Sequence, residues 1–333
     1  MKIIDLNGCI VYYKPETAGK AQEESQLREF VTELQNILSG MNLKINEPMS
    51  QHTSLRIGGG AGIMAFPENK RELSEILKAA KKLSLSPLIL GAGTNLLAPD
   101  EGIDNLVICL KDCLDGMEQL DETHISVAAG VTMTRAAMYA AKLGLSGLEF
   151  AHGIPGTVGG GVYMNAGAYG GEICQVCQSA ELMDRDGNLF TASNEEMHFS
   201  YRNSGIQIPD GPIVVSAVFA LKKADPQTIK NTMKDLMSRR SASQPLDLPS
   251  AGSAFKRPQG GYAAALIDEA GLRGFTVGKA AVSQKHTGFA VNLGGATAED
   301  MQNLLREVSD RVFEKSHIRL EPEIRILNGE GKL

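Results

Sequence analysis

Residues 148–172 limit the fold of this chain more than any other segment. Eight of these 25 residues are glycine, but large apolar residues such as Ile154, Val158 and Met164 stand between them, which is not the composition of a linker or a low-complexity tail. Glycine allows positive φ and a close approach of the backbone to a ligand, and the uncovered N–H groups can face that ligand. We predict a packed loop here that forms the wall of a cofactor site.

A second glycine loop lies at residues 91–96. A predicted strand runs from Pro87 into Gly-Ala-Gly-Thr-Asn-Leu, and Ala-Pro-Asp-Glu-Gly follows before another strand begins near Asn105. The dinucleotide-binding fold that uses Gly-x-Gly needs a helix to open at the glycines, and no helix is predicted at this position. We therefore reject that fold and predict a loop whose amides, together with Thr94 and Asn95, hold a pyrophosphate.

Apolar periodicity predicts single helices inserted between strands. A tight hairpin is expected at residues 3–13, around Asn7-Gly8. Strands dominate the middle of the chain, which favours an α+β fold over an all-parallel sheet, and a domain boundary is predicted near residue 222. The helical patterns cover residues 27–38, 68–83, 132–143, 225–238, 263–270 and 297–315, and the main strand patterns cover 105–110, 124–129, 179–183, 189–191 and 213–221.

Composition excludes several functional classes. The 33 basic and 39 acidic residues give a net charge of −6, without a basic run that could follow a phosphate backbone, so no nucleic-acid partner is expected. No apolar run is long enough to span a bilayer and no signal-peptide core is visible, so we expect a cytoplasmic protein without membrane contact. The five cysteines fit a reducing compartment, and the lone Cys174-Gln-Val-Cys177 lacks the partners of a zinc site, so no metal is predicted.

Four polar residues are weak signals when each is taken singly. Arg202 follows a tyrosine outside any predicted helix, and Glu323 lies in a predicted terminal strand, where solvated side chains are the more common outcome. Ser253 follows a glycine without forming a nucleophile elbow, so a proton donor suits it better than a nucleophile. Arg56 stands beside Gly58 and could hold a diphosphate or a carboxylate, or simply be solvated.

Seven motifs follow one another in unbroken order from about residue 50 to about residue 327. They are Ser54-Leu-Arg-Ile-Gly-Gly; Gly91-Ala-Gly-Thr-Asn-Leu-Leu; Glu149-Phe with Gly153-Ile-Pro-Gly-Thr-Val-Gly-Gly and Met164-Asn-Ala-Gly-Ala-Tyr-Gly; Tyr201-Arg-Asn-Ser; Pro249-Ser-Ala-Gly-Ser-Ala-Phe-Lys-Arg-Pro; Lys285-His-Thr-Gly-Phe; and Leu320-Glu-Pro-Glu-Ile-Arg. Each motif is modest alone, but together they strongly resemble the UDP-N-acetylenolpyruvoylglucosamine reductase (MurB) family. The short spacing between Arg202 and Ser253 resembles the shorter form of the family, type II.

The resemblance implies an α+β fold with an FAD-binding domain of the vanillyl-alcohol-oxidase (PCMH) type and a smaller α+β substrate-binding domain. We expect residues 1–222 to form the FAD-binding domain, with an N-terminal extension at 1–49 and completion by a C-terminal strand at 319–333, and residues 223–318 to form the substrate-binding domain. The implied cofactor-binding residues are Arg56, Gly58, Gly91, Ala92, Gly93, Thr94, Asn95, Leu96, Gly153, Ile154, Pro155, Gly156, Thr157, Gly159, Gly160, Asn165 and Gly167.

The resemblance also implies an activity in cell-wall biosynthesis. NADPH would reduce noncovalent FAD and leave, and UDP-N-acetylglucosamine enolpyruvate would then enter the same cleft and be reduced to UDP-N-acetylmuramate, a peptidoglycan precursor. Arg202 and a protonated Glu323 would stabilise negative charge at the substrate carboxylate, while Ser253 would donate a proton to the adjacent carbon. These catalytic residues lie on different domains, so catalysis would depend on domain closure. The implied substrate-binding residues are Tyr201, Arg240, Lys256 and Gln284.

Two alternatives remain open from the sequence. One is an FAD oxidase of a sugar or alcohol, which would share the glycine loops but not Arg202, Ser253 and Glu323. The other is a flavin-binding protein without turnover.

His152 departs from a family pattern in which this position is small or variable. A histidine here raises a covalent flavin link as an alternative. The favoured interpretation is a neighbour of the flavin without a covalent link.

Overall fold

The computed structural model describes residues 2–4, 10–12, 32–33, 40–259 and 261–332. The helices in these ranges are α1 (Lys70–Lys82), α2 (Met133–Lys142), α3 (Val158–Tyr163), α4 (Pro226–Ser243), α5 (Ala263–Glu269) and α6 (Ala298–Ser316). Short 3-10 turns lie at Met49–Gln51, Glu149–Gly153 and Ile173–Gln175. The mixture of helices with both parallel and antiparallel strands confirms the predicted α+β class.

Three larger sheets carry the fold. The first has the order β3 (Leu43–Pro48), β4 (Gly60–Ala65), β7 (Ile103–Cys109), β5 (Leu88–Leu90) and is parallel except for its first pair. The second is antiparallel, with the order β14 (Leu189–Ser193), β13 (Cys177–Met183), β15 (Ile213–Ala220), β9 (His124–Ala128), β8 (Met117–Gln119). The third, also antiparallel, has the order β17 (Ser250–Ser253), β20 (Phe289–Asn292), β19 (Ala280–Val282), β18 (Thr276–Val277).

Short strand pairs lie outside these three sheets. Parallel pairing of β21 (Arg325–Ile326) with β6 (Leu96–Leu97) brings the end of the chain back to the loop at 91–96, because Arg325 is opposite Leu96. The pairs are β1 (Lys2–Ile4) with β2 (Ile10–Tyr12), β6 (Leu96–Leu97) with β21 (Arg325–Ile326), β10 (Leu145–Ser146) with β16 (Lys222–Lys223), and β11 (Gly167–Ala168) with β12 (Gly171–Glu172).

Local sequence accounts for the helix boundaries. The N-cap side chains of Asn69, Thr132, Asp225 and Thr297 each accept a hydrogen bond from a backbone N–H of the first turn that follows, which satisfies a donor that has no partner within the helix. The faces buried by these helices follow the 3.6-residue period; α6, for example, buries Met301, Leu304, Leu305, Val308 and Val312.

Most of the predicted elements that fall within the described residues agree with the observed ones. The hairpin strands near the start are present, with Lys2 opposite Tyr12, whereas the helix predicted at 27–38 lies outside the described residues except for Thr32 and Glu33. The glycine segment contains the short helix α3, which a loop prediction missed. In the terminal segment, predicted to be a strand throughout, the ladder covers Arg325–Ile326.

Helix α4 bears on the division into domains. Its buried residues Ile229 and Met233 belong to the apolar cluster that contains Ile125 and Phe219 of the second sheet, so α4 packs on the N-terminal side of the molecule. A separate cluster joins the third sheet to α5 and α6. The boundary at 222 stays a prediction, and on this packing we propose that the second domain begins after α4, near residue 244.

Candidate active site

The two glycine loops predicted to hold a cofactor face each other. The Thr94 hydroxyl donates a hydrogen bond of 3.3 Å to the carbonyl of Pro155. A Cβ atom on Gly91 would stand 2.6 Å from Thr157 Oγ1, and one on Gly156 would stand 3.2 Å from Thr94 Oγ1. The loops at 91–96 and 153–160 are therefore in direct contact, and the contact requires glycine at position 91.

Unpaired backbone N–H groups are shared by these two loops. Within the described part of the chain, the N–H groups of residues 92–95, 156 and 157 donate to no protein acceptor. Because backbone donors left unpaired near a protein interior are costly, a run of them indicates a place where a ligand or water accepts. Such a donor set fits the pyrophosphate of a dinucleotide such as FAD.

Glycine serves two purposes in these segments. Gly93 has φ +58° and an added Cβ would stand 2.0 Å from the carbonyl oxygen of His52, so no other residue fits at this turn. At Gly58 and Gly159 the added Cβ would instead meet the side chains of Ala98 at 2.6 Å and Ala129 at 2.9 Å. These two glycines allow close packing behind the loops.

Arg56 stands at the edge of the first glycine loop. Its turn is tied to that loop because Ser54 N–H donates to the carbonyl of Gly93 at 3.0 Å. Arg56 itself is exposed and has φ +56°, while the neighbouring Leu55 and Ile57 are buried. No carboxylate among the described residues pairs with the Arg56 guanidinium, which leaves it available to an anionic ligand.

Arg202 projects from a tight turn. Ser200 and Asn203 exchange backbone hydrogen bonds of 3.0 and 3.1 Å, and Arg202 at the third position of the turn has φ +55°. Its Nε donates to Glu323 Oε1 at 2.8 Å, with only 24% of the arginine side chain and 13% of the glutamate side chain exposed. A second donor, Nη2, reaches the carbonyl of Gly167 at 3.4 Å.

Glu323 is held next to the strand that carries Ser253. The N–H of Glu323 donates to the carbonyl of Ala254 at 2.9 Å, and Phe255 forms an antiparallel bridge with Pro322. Burial raises the pKa of the Glu323 carboxyl, and the charge and hydrogen bond of Arg202 partly oppose that rise. The structure thus brings Arg202 and Glu323 into contact and places the exposed Ser253 one residue from the segment bonded to Glu323.

The predicted substrate-binding residues differ in their surroundings. Arg240 is 9% exposed, has no carboxylate partner among the described residues, and its Cδ stands 2.9 Å from the Cβ position of Gly153. Burial lowers the pKa of Arg240. Lys256 pairs with Glu321 on the surface, and Gln284 is exposed. Tyr201 is exposed, with its ring centroid 5.1 Å from Arg202 Cζ.

The side chain of Asn165 supports the candidate site by bonding to other parts of the protein. Its side-chain amide donates to the carbonyl of Ser200 at 3.0 Å and to Glu172 Oε2 at 3.2 Å, and its oxygen accepts from the N–H of Cys174 at 3.0 Å. The buried amide is therefore occupied by protein partners on both ends. It anchors the turn that presents Arg202.

The sequence analysis missed three polar residues close to these groups. The buried oxygen Oε1 of Gln244 has no hydrogen-bond partner within the described residues, one turn after Arg240. Arg325 donates to Gln207 Oε1 at 3.4 Å, and Gln207 in turn donates to the backbone of Arg202. Gln244 could have been suspected from its i, i+4 spacing to Arg240, whereas the link between Arg325 and Gln207 spans 118 residues and has no local signal.

His152 lies in a different environment from Arg202 and Glu323. It lines a groove of about 740 Å³ between α2 and α4, together with apolar residues such as Met138 and Met237. Its carbonyl accepts from the Thr134 hydroxyl at 2.6 Å, and its buried Nδ1 has no hydrogen-bond partner within the described residues. Because His152 packs among helix side chains, we favour the interpretation that it neighbours the glycine loop without a covalent link to the flavin.

Comparisons with known proteins identify the family. A family model described as FAD binding domain matches residues 61–193, and one described as UDP-N-acetylenolpyruvoylglucosamine reductase, C-terminal domain, matches residues 244–327. No helix in the described ranges is long and apolar enough to cross a membrane.

Individual relatives agree with both family models. A protein of Latilactobacillus sakei subsp. sakei named UDP-N-acetylenolpyruvoylglucosamine reductase is 45% identical over 312 residues, which cover 92% of this chain and 99% of the relative. A protein of Clostridium tetani with the same name is 42% identical, with 92% and 98% covered. The crystal structure of the reductase from Thermus caldophilus superposes with a TM-score of 0.74 at 36% identity, covering 86% of this chain and 99% of that one. The predicted FAD-binding fold is thereby confirmed, and the chain belongs to the UDP-N-acetylenolpyruvoylglucosamine reductase family of FAD-dependent oxidoreductases.

Proposed function

We propose that this chain reduces UDP-N-acetylglucosamine enolpyruvate to UDP-N-acetylmuramate, with NADPH as reductant and FAD as cofactor, in the synthesis of peptidoglycan precursors. The observation that carries the proposal is the Arg202–Glu323 contact of 2.8 Å, formed between residues 121 positions apart and next to the strand of Ser253. The named relatives and the FAD-binding family model support the same activity.

The cofactor would be held chiefly by backbone. The unpaired N–H groups at 92–95, with those of Gly156 and Thr157, are placed to bind the pyrophosphate, and Arg56 can add a positive charge at the edge. Bound FAD would supply hydride chemistry, taking a hydride from NADPH and delivering it to the enolpyruvyl group. The glycines at 91 and 93 let this wall pack against Thr157 and the carbonyl of His52, where a Cβ atom would clash.

The remaining chemistry falls to three side chains. Hydride addition to the terminal enolpyruvyl carbon drives negative charge onto the substrate carboxylate, where the fixed cation of Arg202 stabilises it. Glu323 can add a hydrogen bond in its protonated form, which burial favours by raising the pKa of this carboxyl. Ser253 then donates a proton to the carbon next to the carboxylate, so that one hydride and one proton together saturate the double bond.

Arg240 is the best supported of the proposed substrate-binding residues. A guanidinium that is almost fully buried without a carboxylate partner is costly unless an anion arrives. The diphosphate of a UDP-sugar is such an anion, and a guanidinium binds its oxygens in a fork. Tyr201, Lys256 and Gln284 are proposed to make secondary contacts with the substrate, and the unpartnered Gln244 Oε1 offers an acceptor beside Arg240.

We place this reaction in the cytoplasm. The four cysteines of the described residues, Cys109, Cys113, Cys174 and Cys177, are free, as expected for a reducing compartment. Burial raises the pKa of Cys177 to about 12, which keeps that thiol protonated and unreactive at neutral pH.

The experiment is an anaerobic measurement on the purified protein. A flavin absorption spectrum is expected, together with NADPH oxidation that depends on UDP-N-acetylglucosamine enolpyruvate. A colourless protein that stays inactive with added FAD would refute the flavin assignment. Oxidation that proceeds with oxygen and ignores the enolpyruvyl substrate would indicate an oxidase, and a yellow protein without turnover would indicate a binding protein.

A variant tests the proton donor directly. Ser253→Ala should leave the reduction of the enzyme by NADPH nearly intact and slow its reoxidation by substrate by about 100-fold or more, the range in which general acids contribute. Ser250→Ala, on the same strand β17, is the matched control and should behave as wild type. Equal losses in both half-reactions for Ser253→Ala would contradict the assigned role.

A further inference from the structure

The backbone of Arg202 adopts a conformation that its side chain does not favour. In the four-residue turn at 200–203, Arg202 has φ +55°, at the position where glycine or asparagine is usual. A left-handed residue of this kind persists when its surroundings hold it in place, and such residues are concentrated at functional sites. The contacts that hold this turn therefore decide where the guanidinium points.

Both flanks of the turn are tied to one neighbouring segment. At the first residue of the turn, the Asn165 amide donates to the carbonyl of Ser200 at 3.0 Å. After it, the Ser204 hydroxyl donates to the carbonyl of Tyr163 at 2.6 Å. These bonds fix where the turn starts and ends, but neither of them reaches the peptide group of Arg202.

Gln207 makes the contact that does reach it. Its Nε2 donates to the carbonyl of Arg202 at 3.3 Å and to the carbonyl of Tyr163 at 2.6 Å. Its Oε1 accepts from Nη1 of Arg325 at 3.4 Å, and the same guanidinium lies over the Tyr163 ring with Cζ 5.1 Å from its centroid. One side-chain amide thus joins the Arg202 turn, the last residue of α3 and the terminal strand β21.

We propose that Gln207 is the positioning residue of Arg202: its amide holds the Arg202 carbonyl, and through it the strained turn, so that the guanidinium is aimed at Glu323 and at the substrate carboxylate. The inference rests on the proposed function, because it concerns the half-reaction in which the substrate reoxidises the reduced enzyme. Gln207 needs both ends of its amide, since one end donates to two carbonyls and the other accepts from Arg325.

Three substitutions of Gln207 test the donor and the acceptor of its amide separately. Gln207→Met keeps the length of the side chain and removes both the donor and the acceptor. Gln207→Lys restores a donor toward the two carbonyls but offers no acceptor to Arg325. Gln207→Glu keeps the shape and places acceptor oxygens against the carbonyls of Arg202 and Tyr163. Gln119→Met is the matched control, because the Gln119 amide also donates to a backbone carbonyl, that of Asp121 at 2.9 Å, on an exposed edge strand.

Rapid-mixing measurement of the two half-reactions is the test. Gln207→Met and Gln207→Glu should slow reoxidation by substrate on the order of 10- to 100-fold, the range that a misplacement of about 1 Å produces, with NADPH reduction within about twofold of wild type. Gln207→Lys should recover part of the loss. Equal slowing of both half-reactions, or no slowing in Gln207→Met, would overturn the proposal.

A second readout distinguishes positioning from a general loss of stability. Because Arg202 opposes the rise in the pKa of Glu323, a loosened Arg202 lets that pKa rise further, so the alkaline limb of the reoxidation rate should move to higher pH in Gln207→Met. An unmoved limb would contradict the proposal.

Two outcomes tell failure of the proposed function from failure of this inference. If the substrate does not reoxidise the wild-type protein, the proposed function fails. If wild type reacts and Gln207→Met matches it in rate and pH profile, this inference alone fails.

Discussion

Replacing Glu323 with glutamine tests the proposed role of its protonated form while keeping the geometry of its contact with Arg202. The glutamine oxygen can still accept from Arg202 Nε, now 2.8 Å from Glu323 Oε1, but the side chain can no longer ionise. A charge-assisted hydrogen bond contributes about 1.5–3 kcal/mol, roughly twice a neutral one, so the substitution gives up about 1–1.5 kcal/mol when the glutamate is charged. The desolvation cost of the buried carboxylate disappears at the same time, which offsets part of that loss.

The expected net change in stability is therefore small, within about 1 kcal/mol, or less than about 4 °C in Tm for a chain of this size. The change depends on pH. Since burial raises the folded pKa of Glu323 above its ordinary value of 4.5, the neutral carboxyl contributes stability below pH 4.5, and this contribution is lost as pH rises through the folded pKa. Glu323→Gln should lack this particular dependence, so its stability relative to wild type should improve as pH rises across that window.

The catalytic effect should separate the hydrogen bond of Glu323 from its ionisation. The glutamine amide still donates a hydrogen bond, as the protonated carboxyl would, so Glu323→Gln should be reoxidised within about 10-fold of the wild-type rate. In wild type, reoxidation should fall as pH rises through the folded pKa of Glu323, and Glu323→Gln should lose this limb. Glu323→Ala removes the donor and should slow reoxidation by substrate about 10²- to 10³-fold, or about 3–4 kcal/mol in the barrier, with NADPH reduction near the wild-type rate. A glutamine variant that retains the limb, or an alanine variant that matches wild type, would refute the proposed role.

Three further predictions concern the cofactor loops and their support. Gly93→Ala should lower the bound flavin content and destabilise the fold by more than about 1 kcal/mol, because left-handed strain adds to a clash with the His52 carbonyl. Gly170→Ala is the control, since Gly170 has φ +85° but an added Cβ there would stand in open space. Asp100→Ala should cost about 1 kcal/mol in thermal unfolding, since its carboxylate accepts from the first N–H groups of α6. For His152, acid precipitation should release all flavin to the supernatant, and a yellow pellet would show a covalent link.

The fold was predictable where its causes are local. The long helix α6 begins after Thr297, and its capping side chain and apolar spacing are visible in the sequence. The rejection of a helix at Gly91 was right, because strand β6 and a turn follow the glycines. The short helix α3 escaped prediction because three consecutive glycines, 159–161, have the lowest helix propensity after proline, and tertiary packing overrides it.

The sequence could propose members of the candidate site but not their arrangement. The glycines at 58 and 159 indicated that another group comes close to the backbone there, but the sequence could not show that these groups are the side chains of Ala98 and Ala129. Likewise, a terminal strand suggested a solvated Glu323, whereas the structure buries it. Its environment depends on pairing with Ala254, a contact across 69 positions that local patterns do not encode.

The arrangement of the apolar core changes how domain closure should be understood. One cluster contains Leu55 and Leu97, from the segments that carry the proposed FAD loop, together with Ala254 and Phe255 beside Ser253. Leu320 and Ile324, on either side of Glu323, belong to the same cluster. The proposed catalytic pair is therefore built on a core shared by both predicted domains, and Arg202 meets Glu323 without any rearrangement of that core. Domain closure is then not needed to bring Arg202 and Glu323 together. The step that remains is for the bound substrate to place its carboxylate beside the exposed hydroxyl of Ser253.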